Sequence, residues 1–134
     1  VEKAGVLAKW DASGLEGLVA IRLTVLDNKN VLRIALSQVT VDNTPPMITL
    51  RYPAAGSEVA AVRSGVTLLA EVSDQVGFRR LEWWLDGRLA ATQTNPPFAY
   101  FLSGTTGTHK VQLKAWDIAG NQAATETISF TIVP

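Results

Sequence analysis

The side chains best suited to bind a ligand are two tryptophans and two charged residues on two β-strands that are predicted to be neighbours. They are Trp84, Trp116, Glu82 and Lys114. Each alternates with apolar residues that are expected to point into a core, so all four are expected on one outer face. Paired indole rings form a surface on which sugar rings stack, which predicts a carbohydrate site. The favoured alternative is an aromatic pair that only stabilises the sheet or contacts a neighbouring protein module.

Carboxylates and amides in the loops form a second candidate site, for calcium. Asp42, Asp74, Asp117 and Asn121 are expected at one pole of the fold, because alternating strand directions bring their loops together. Calcium takes about six to eight oxygen ligands from such loops. The chain has no dense Asp-x-Asp-x-Asp string, and turn formation explains Asp117 and Asn121 equally well. The sequence therefore predicts that the protein binds no metal and no cofactor. The alternative is a calcium site formed by these four residues.

Catalysis is not supported by any motif in the chain. His109 is the only histidine, and the sequence contains no Gly-x-Ser-x-Gly, no His-Glu-x-x-His and no glycine-rich phosphate loop. His109 is expected to be a solvent-facing strand residue. Glu82 and Asp86 are close enough in sequence to suggest a catalytic carboxylate pair. The presence of Asp86 is better explained by the tight turn that it forms with Gly87. The chain is therefore predicted not to be an enzyme.

Charge and composition narrow the classes of partner. Twelve basic and twelve acidic residues give a formal net charge of zero, which argues against binding to nucleic acid or to an anionic membrane. No run of about 18 apolar residues is present, so this segment is not expected to insert into a membrane. The chain has no cysteine, so its stability is expected to come from packing.

Period-2 alternation of Val, Leu, Ile and Thr dominates the chain, and it is interrupted every 8 to 12 residues, roughly, by Gly, Asn, Asp or Pro. This pattern is typical of an all-β sandwich. The strands are predicted at residues 47–52, 66–72, 78–85, 89–93, 98–102, 109–116 and 123–133. Seven strands joined in this way make an immunoglobulin-like sandwich. The preceding residues 42–46 read as a stiff linker because two prolines favour an extended backbone.

The beginning of the chain is similar to its end. Asp27 and Asp117 lie 90 residues apart, and Ile21, Leu23 and Val25 align with Val111, Leu113 and Ala115 at the same offset. A repeat of this length matches one β-sandwich module. Residues 1–43 are therefore predicted to hold the last three strands of a truncated module (7–10, 18–26 and 31–41) plus a linker. Residues 44–134 are predicted to form a complete module.

Four short strings follow one another in a recognisable order. They are Asp-Asn-Thr-Pro-Pro at 42–46, Leu-Glu-Trp-Trp-Leu-Asp-Gly at 81–87, Pro-Phe at 97–98 and Asp-Ile-Ala-Gly-Asn at 117–121. Together they resemble bacterial immunoglobulin-like, or fibronectin III-like, tandem modules. Residues 10–15 and 21–25 are similar to modules appended to bacterial penicillin-binding proteins and other surface enzymes.

This resemblance implies a non-catalytic structural or spacer module of a multidomain bacterial protein that is secreted or on the cell surface. The C-terminal part of a penicillin-binding protein is one such setting. The expected partners are neighbouring immunoglobulin-like modules and, further, a cell-wall glycan or protein. The alternative function is a carbohydrate or cell-wall binding module that uses Trp84 and Trp116.

The truncated first module is expected to require a cover. Its strands place Leu7, Ile21, Leu23, Val25, Val39 and Val41 on faces that further strands of a sandwich would bury. Leaving a large aliphatic side chain in water forfeits about 1.5–3 kcal/mol. The same segment of another chain offers a matching apolar face. The sequence therefore predicts a homodimer through residues 1–41.

Overall fold

The computed structural model describes residues 5–104 and 106–134, and these residues form strands, turns and loops. The predicted all-β class is confirmed. In that part of the chain, no helix is long and apolar enough to cross a membrane. The chain divides into two compact units, one ending at Thr44 and the other spanning Pro45–Pro134. This division lies next to the boundary expected after residue 43.

Eleven strands are formed by the described residues. The first unit contains β1 (Gly17–Leu26) and β2 (Leu32–Val41). The second contains β3 (Met47–Tyr52), β4 (Glu58–Ala60), β5 (Gly65–Ser73), β6 (Phe78–Leu85), β7 (Arg88–Gln93), β8 (Phe98–Ser103), β9 (Gly107–Asp117), β10 (Gln122–Ala124) and β11 (Ile128–Val133). All seven predicted strands of the complete module are therefore present, and β4 is an addition.

The last predicted strand is divided into β10 and β11. Its interruption begins at Thr125, whose hydroxyl accepts the backbone N–H of Leu113 at 3.0 Å. The N–H of Thr125 donates in turn to the Leu113 carbonyl at 2.9 Å. A side-chain oxygen thus takes the place of a backbone carbonyl in the ladder, and the strand leaves its regular path there.

The second unit is a β-sandwich. One sheet has the strand order β3–β5–β8, and the other has the order β4–β11–β9–β6–β7 with β10 also paired to β9. The pair of β4 and β11 is parallel. The other pairs of this unit are antiparallel. This arrangement confirms the predicted immunoglobulin-like sandwich.

Alternation along the strands fills the space between the two sheets. Leu81 and Trp83 of β6 and Leu113 of β9 are completely buried, at 0% exposed. Leu68 of the opposite sheet is also 0% exposed and belongs to the same core cluster. One face of each central strand therefore lies in the core while the other faces outward.

The first unit contains a two-stranded ribbon. β1 and β2 pair antiparallel, from Gly17 opposite Val41 to Leu26 opposite Leu32. The predicted strand at 7–10 is wrong, because these residues form no strand and Leu7 is 82% exposed. Its counterpart in the second unit, β8, is held by pairing with β5. The described part of the first unit contains no strand equivalent to β5, so the partial module has two strands rather than three.

Both units close a hairpin with the same aspartate-anchored turn. The N–H of Asp27 donates to the Val31 carbonyl, and the N–H of Asp117 donates to the Asn121 carbonyl, each at 3.1 Å. In both turns the carboxylate Oδ1 also accepts the N–H of that later residue, at 2.9 Å from Val31 and 2.8 Å from Asn121. The sequence repeat is therefore also a repeat of local structure.

Candidate functional site

The outer face of β6 and β9 carries the four side chains proposed as a ligand site. Trp84 and Glu82 on β6, and Trp116 and Lys114 on β9, are half-buried. Trp83, which precedes Trp84 directly, is 0% exposed in the core. The two neighbouring tryptophans of β6 thus lie on opposite faces of the sheet, as alternation predicts.

The two outer tryptophans are on one face but do not touch. Trp84 lies opposite Gln112, whereas Trp116 lies opposite Arg80. On β6, Arg80 and Trp84 are four positions apart, a distance of roughly 13 Å along an extended strand. The rings therefore form two separate aromatic positions rather than one continuous platform.

Each outer ring is covered by a cation. The guanidinium carbon of Arg80 lies 3.9 Å from the centre of the Trp116 ring, and Lys114 Nζ lies 4.2 Å from that of Trp84. Both distances are within the range of cation–π attraction. One face of each indole is consequently occupied by the protein itself, which leaves less aromatic surface for a ligand than the sequence predicts.

Glu82 joins these two stacked pairs. Its Oε1 accepts a hydrogen bond from Arg80 Nε at 3.1 Å, and its Oε2 accepts one from Trp84 Nε1 at 3.0 Å. The face is thus a connected row of two aromatic rings, two cations and one carboxylate. Arg80 is the member that sequence reasoning missed. Alternation back from Glu82 places Arg80 on the outer face, but only the register with β9 shows that it stacks on Trp116.

A groove of about 350 Å³ lies beside Trp84. It is lined by Trp84, Gly87, Lys110, Gln112, Lys114 and Thr127. Its walls supply one indole ring together with ammonium, amide and hydroxyl groups. This combination of one aromatic surface and several hydrogen-bond donors suits a ligand rich in oxygen acceptors, such as a sugar.

The turn after β9 is organised by a buried carboxylate. Asp117 is 0% exposed, and its Oδ1 accepts the N–H groups of Gly120 at 2.7 Å and Asn121 at 2.8 Å. Its Oδ2 accepts Asn121 Nδ2 at 2.7 Å. Burial raises the pKa of Asp117, but the hydrogen bonds from Asn121 and Gly120 outweigh it and hold the pKa below its usual value. Asp117 and Asn121 therefore shape a turn.

Asp74 forms a similar turn before β6. Its Oδ1 accepts the N–H groups of Val76 at 3.0 Å and Gly77 at 2.6 Å. A carboxylate oxygen of Asp74 lies within 4.8 Å of one of Asp117, so the structure brings these two candidates together. Asp42 belongs to the first unit, directly after β2. The predicted absence of a metal and the calcium alternative both stay predictions.

The His109 side chain is hydrogen-bonded to the turn between β6 and β7. Its Nδ1 lies 2.9 Å from Asp86 Oδ2, and Asp86 Oδ1 accepts the N–H of Lys110 at 2.8 Å. Burial raises the pKa of Asp86. The hydrogen bonds from His109 and Lys110 and the charges of these residues lower the pKa by more, so it lies below its usual value. The His109 side chain is only 14% exposed. The expectation of a solvent-facing histidine is therefore wrong, since Asp86 and the ring of Phe130 cover it.

The outer face of the other sheet carries apolar side chains that the sequence analysis did not single out. Tyr52, Leu69 and Phe101 are 40–47% exposed, and Val62, in the loop between β4 and β5 beside this sheet, is 67% exposed. They line a groove of about 550 Å³. Leu69 and Phe101 alternate with core residues of β5 and β8, so their outward orientation follows from alternation. The sequence did not show that these side chains lie together in one apolar patch, because that depends on how the strands pair.

Comparisons with known proteins agree with this fold. Fibronectin(III)-like modules of CbhA from Clostridium thermocellum superpose with a TM-score of 0.57 at 18% identity, over 64% of this chain and 94% of that one. Dimeric latent PorU from Porphyromonas gingivalis gives a TM-score of 0.54 at 21% identity, over 85% of this chain but 14% of PorU. Such identities show the fold alone.

Comparison with curated protein sequences gave no match. The family model described as bacterial Ig domain matches residues 46–113, which is just over half of the chain. The matched region runs from the start of β3 into β9 and includes the complete β3–β5–β8 sheet. With the family model, the sandwich topology and the superposed modules in agreement, the chain belongs to the bacterial Ig domain family.

Proposed function

We propose that this chain is a structural spacer segment of a multidomain bacterial protein that is secreted or exposed on the cell surface. Ig-like and fibronectin III-like domains are typically non-catalytic, and bacterial Ig-like domains are common in extracellular and surface proteins. The recurrence of the aspartate turn in both units supports a tandem array of modules. A penicillin-binding protein is the parent that the sequence resemblance suggests.

The observation that carries the proposal is the pairing between the second strand of the second unit and its last strand. β4, near the start of the unit, pairs in parallel with β11, at its end. The N–H of Thr131 donates to the Ser57 carbonyl at 2.9 Å, and the N–H of Ala61 donates to the Val133 carbonyl at 3.0 Å. Because β4 and β11 are parallel, a force that pulls the two ends of the unit apart shears these strands against each other. The hydrogen bonds between them then bear the force together. This geometry suits a module that transmits force along a chain.

Single-molecule pulling between the ends of the second unit tests the spacer role. We expect one unfolding event, with a lower rupture force in the variant Ala61→Pro, because proline cannot donate the hydrogen bond to Val133. Loss of one such bond should lower the free energy of unfolding by only about 1 kcal/mol. Chemical denaturation of the same variant is the control. A rupture force that Ala61→Pro leaves unchanged would contradict a mechanical role for this ladder.

A second candidate function is supported by the groove beside Trp84. Its indole ring and the donors of Lys110, Gln112 and Lys114 could hold a hydroxyl-rich cell-wall polymer. The cation already stacked on Trp84 works against this role, because it occupies one face of the ring that a sugar would use.

Co-sedimentation with insoluble peptidoglycan separates the two functions. We expect the protein to stay in the supernatant, and the variants Trp84→Ala and Leu89→Ala to behave alike. Leu89 is the matched control, since it lies opposite Trp84 on β7 and is 50% exposed. Sedimentation that is abolished by Trp84→Ala and retained by Leu89→Ala would instead establish the carbohydrate-binding function.

A further inference from the structure

Going beyond the spacer role, we propose that the groove beside Trp84 binds an acidic sugar, that is, a sugar unit that carries a carboxylate or a phosphate group. Its volume of about 350 Å³ lies at the small end of ligand pockets, which span about 300–1,000 Å³. The groove therefore suits one sugar unit rather than a long polymer segment. Such binding does not depend on the spacer role, and it narrows the ligand class of the second candidate function.

Two lysines give the groove its positive charge. Lys110 and Lys114 both line it, and alternation along β9 places them on the same outer face. In the part of the chain that the structure describes, neither ammonium group has a carboxylate oxygen within ion-pair distance. An anionic group between the two lysines would supply the counter-charge, through the strong hydrogen bonds that ammonium groups donate to carboxylates and phosphates.

The carboxylate across from Lys114 is engaged by other groups. Glu82 lies directly opposite Lys114 in the register of β6 and β9. Its Oε1 accepts a hydrogen bond from Arg80 Nε at 3.1 Å, and its Oε2 accepts one from Trp84 Nε1 at 3.0 Å. Both oxygens are therefore oriented away from an ion pair with Lys114, and the charge of Glu82 is balanced by Arg80.

The carboxylate nearest in the fold to Lys110 is likewise committed to the turn between β6 and β7. Asp86 Oδ2 lies 2.9 Å from His109 Nδ1, and Asp86 Oδ1 accepts the backbone N–H of Lys110 at 2.8 Å. These bonds use the main chain of Lys110 and leave its exposed side chain to the groove. The ammonium groups of both lysines are thus available to a ligand.

The position of Lys114 favours an anion over a neutral sugar. Its Nζ lies 4.2 Å from the centre of the Trp84 ring, so it covers one of the ring faces on which a neutral sugar would stack. The groove presents a positive charge there in place of a bare aromatic face. Because the indole shields the ammonium group from water on one side, its attraction for an anion is stronger than that of a fully solvated lysine.

Uncharged polar groups beside the lysines favour a sugar over a bare anion. Gln112 lies between the two lysines on β9, and its Nε2 donates to the Thr125 carbonyl at 3.1 Å, which orients the amide. Its Oε1 is an acceptor, which a sugar hydroxyl can meet and an ionised phosphate or carboxylate cannot. Thr127 adds a hydroxyl that both donates and accepts. An acidic sugar carries both the anion and the hydroxyl groups that this set of side chains requires.

NMR titration of the Trp84 indole tests the ligand class. Its Nε1–H signal is identified by its loss from the spectrum of Trp84→Ala. At constant ionic strength, we expect glucuronate or glucose 1-phosphate to shift this signal with a dissociation constant in the millimolar range, and glucose at the same concentration to leave it in place. The two acids distinguish a carboxylate from a phosphate. An equal response to glucose, or no response to either acid, would overturn the proposal. The force response of Ala61→Pro does not depend on this groove, so the acidic-sugar site and the spacer role can fail separately.

Removal of single charges tests the two lysines. Lys110→Gln and Lys114→Gln each remove one cation from the groove, whereas Arg79→Gln removes the same charge from an exposed residue of β6 outside it. We expect each lysine variant to raise the dissociation constant of the bound acid about tenfold, as loss of a charge-assisted hydrogen bond does. Arg79→Gln should raise it less than about twofold, because salt screens a distant exposed charge. Unchanged unfolding midpoints are the control for folding, and the exposed side chain of Lys110 makes its variant the safer one. Equal weakening by all three variants would show attraction by overall charge alone and would rule out the site.

Discussion

Replacing Trp83 with alanine is expected to lower the free energy of unfolding of the second unit by about 3–5 kcal/mol. Its indole is completely buried and lies 6.0 Å from the Tyr100 ring, centre to centre. Its Nε1 donates to Gln93 Oε1 at 2.8 Å, and Gln93 Nε2 donates to the Ala99 carbonyl at 2.7 Å. The substitution therefore leaves a cavity. It also removes the donor to Gln93 and so breaks the series of hydrogen bonds that links β6, β7 and β8. Chemical denaturation monitored by circular dichroism measures the loss.

Trp84→Ala is the matched control for this prediction. The two tryptophans are adjacent in sequence, but Trp84 is half-buried on the outer face, where it holds Lys114 and Glu82. We expect its loss to cost about 1–2 kcal/mol. Trp83→Phe, which retains a ring but lacks the N–H group, should fall between the two. Comparable losses for Trp83→Ala and Trp84→Ala would show that the assignment of β6 faces is wrong.

Asp117→Ala is expected to destabilise the second unit by about 3 kcal/mol or more. The buried carboxylate accepts hydrogen bonds from Gly120 N–H, Asn121 N–H and Asn121 Nδ2. A hydrogen bond to a charged group contributes about 1.5–3 kcal/mol to stability, so the loss of three such bonds accounts for this magnitude. Asp27→Ala, the equivalent change in the first unit, is the control. It should leave unfolding of the second unit unchanged in a denaturation experiment that follows tryptophan fluorescence, since three of the four tryptophans lie in that unit.

The stabilisation by Asp117 also depends on pH. Because folding lowers the pKa of this carboxyl below 3.8, its contribution is fully present above the pKa of the unfolded chain. It is lost as the pH falls below about 4 and passes through the pKa of the folded state. Asp117→Asn should therefore reduce the loss of stability in acid, while Asp86, whose pKa is also lowered, retains part of it. An unchanged acid dependence in Asp117→Asn would show that Asp117 is not the titrating group.

Local pattern determined most of the strands and the face that each presents to the core. Alternation is a property of a few consecutive residues, so Leu81 and Leu85 were enough to place Trp83 inside and Trp84 outside. The turn residues Asp86 and Gly87 likewise mark the β6–β7 hairpin by their tolerance of positive φ. The repeat of the aspartate turn was also present in the sequence, because its hydrogen bonds join residues within one short segment.

Contacts between distant segments were decided only by the tertiary structure. β6 and β9 are far apart in the chain, and their register includes an irregularity between Phe78 and Arg80 that the sequence does not mark. That register separates Trp84 from Trp116 and places Arg80 on the Trp116 ring. For the same reason, the burial of His109 and the absence of a strand at 7–10 were not predictable. Alternation specifies which face of a strand a side chain occupies, whereas pairing partners depend on hydrogen bonds with strands elsewhere in the fold.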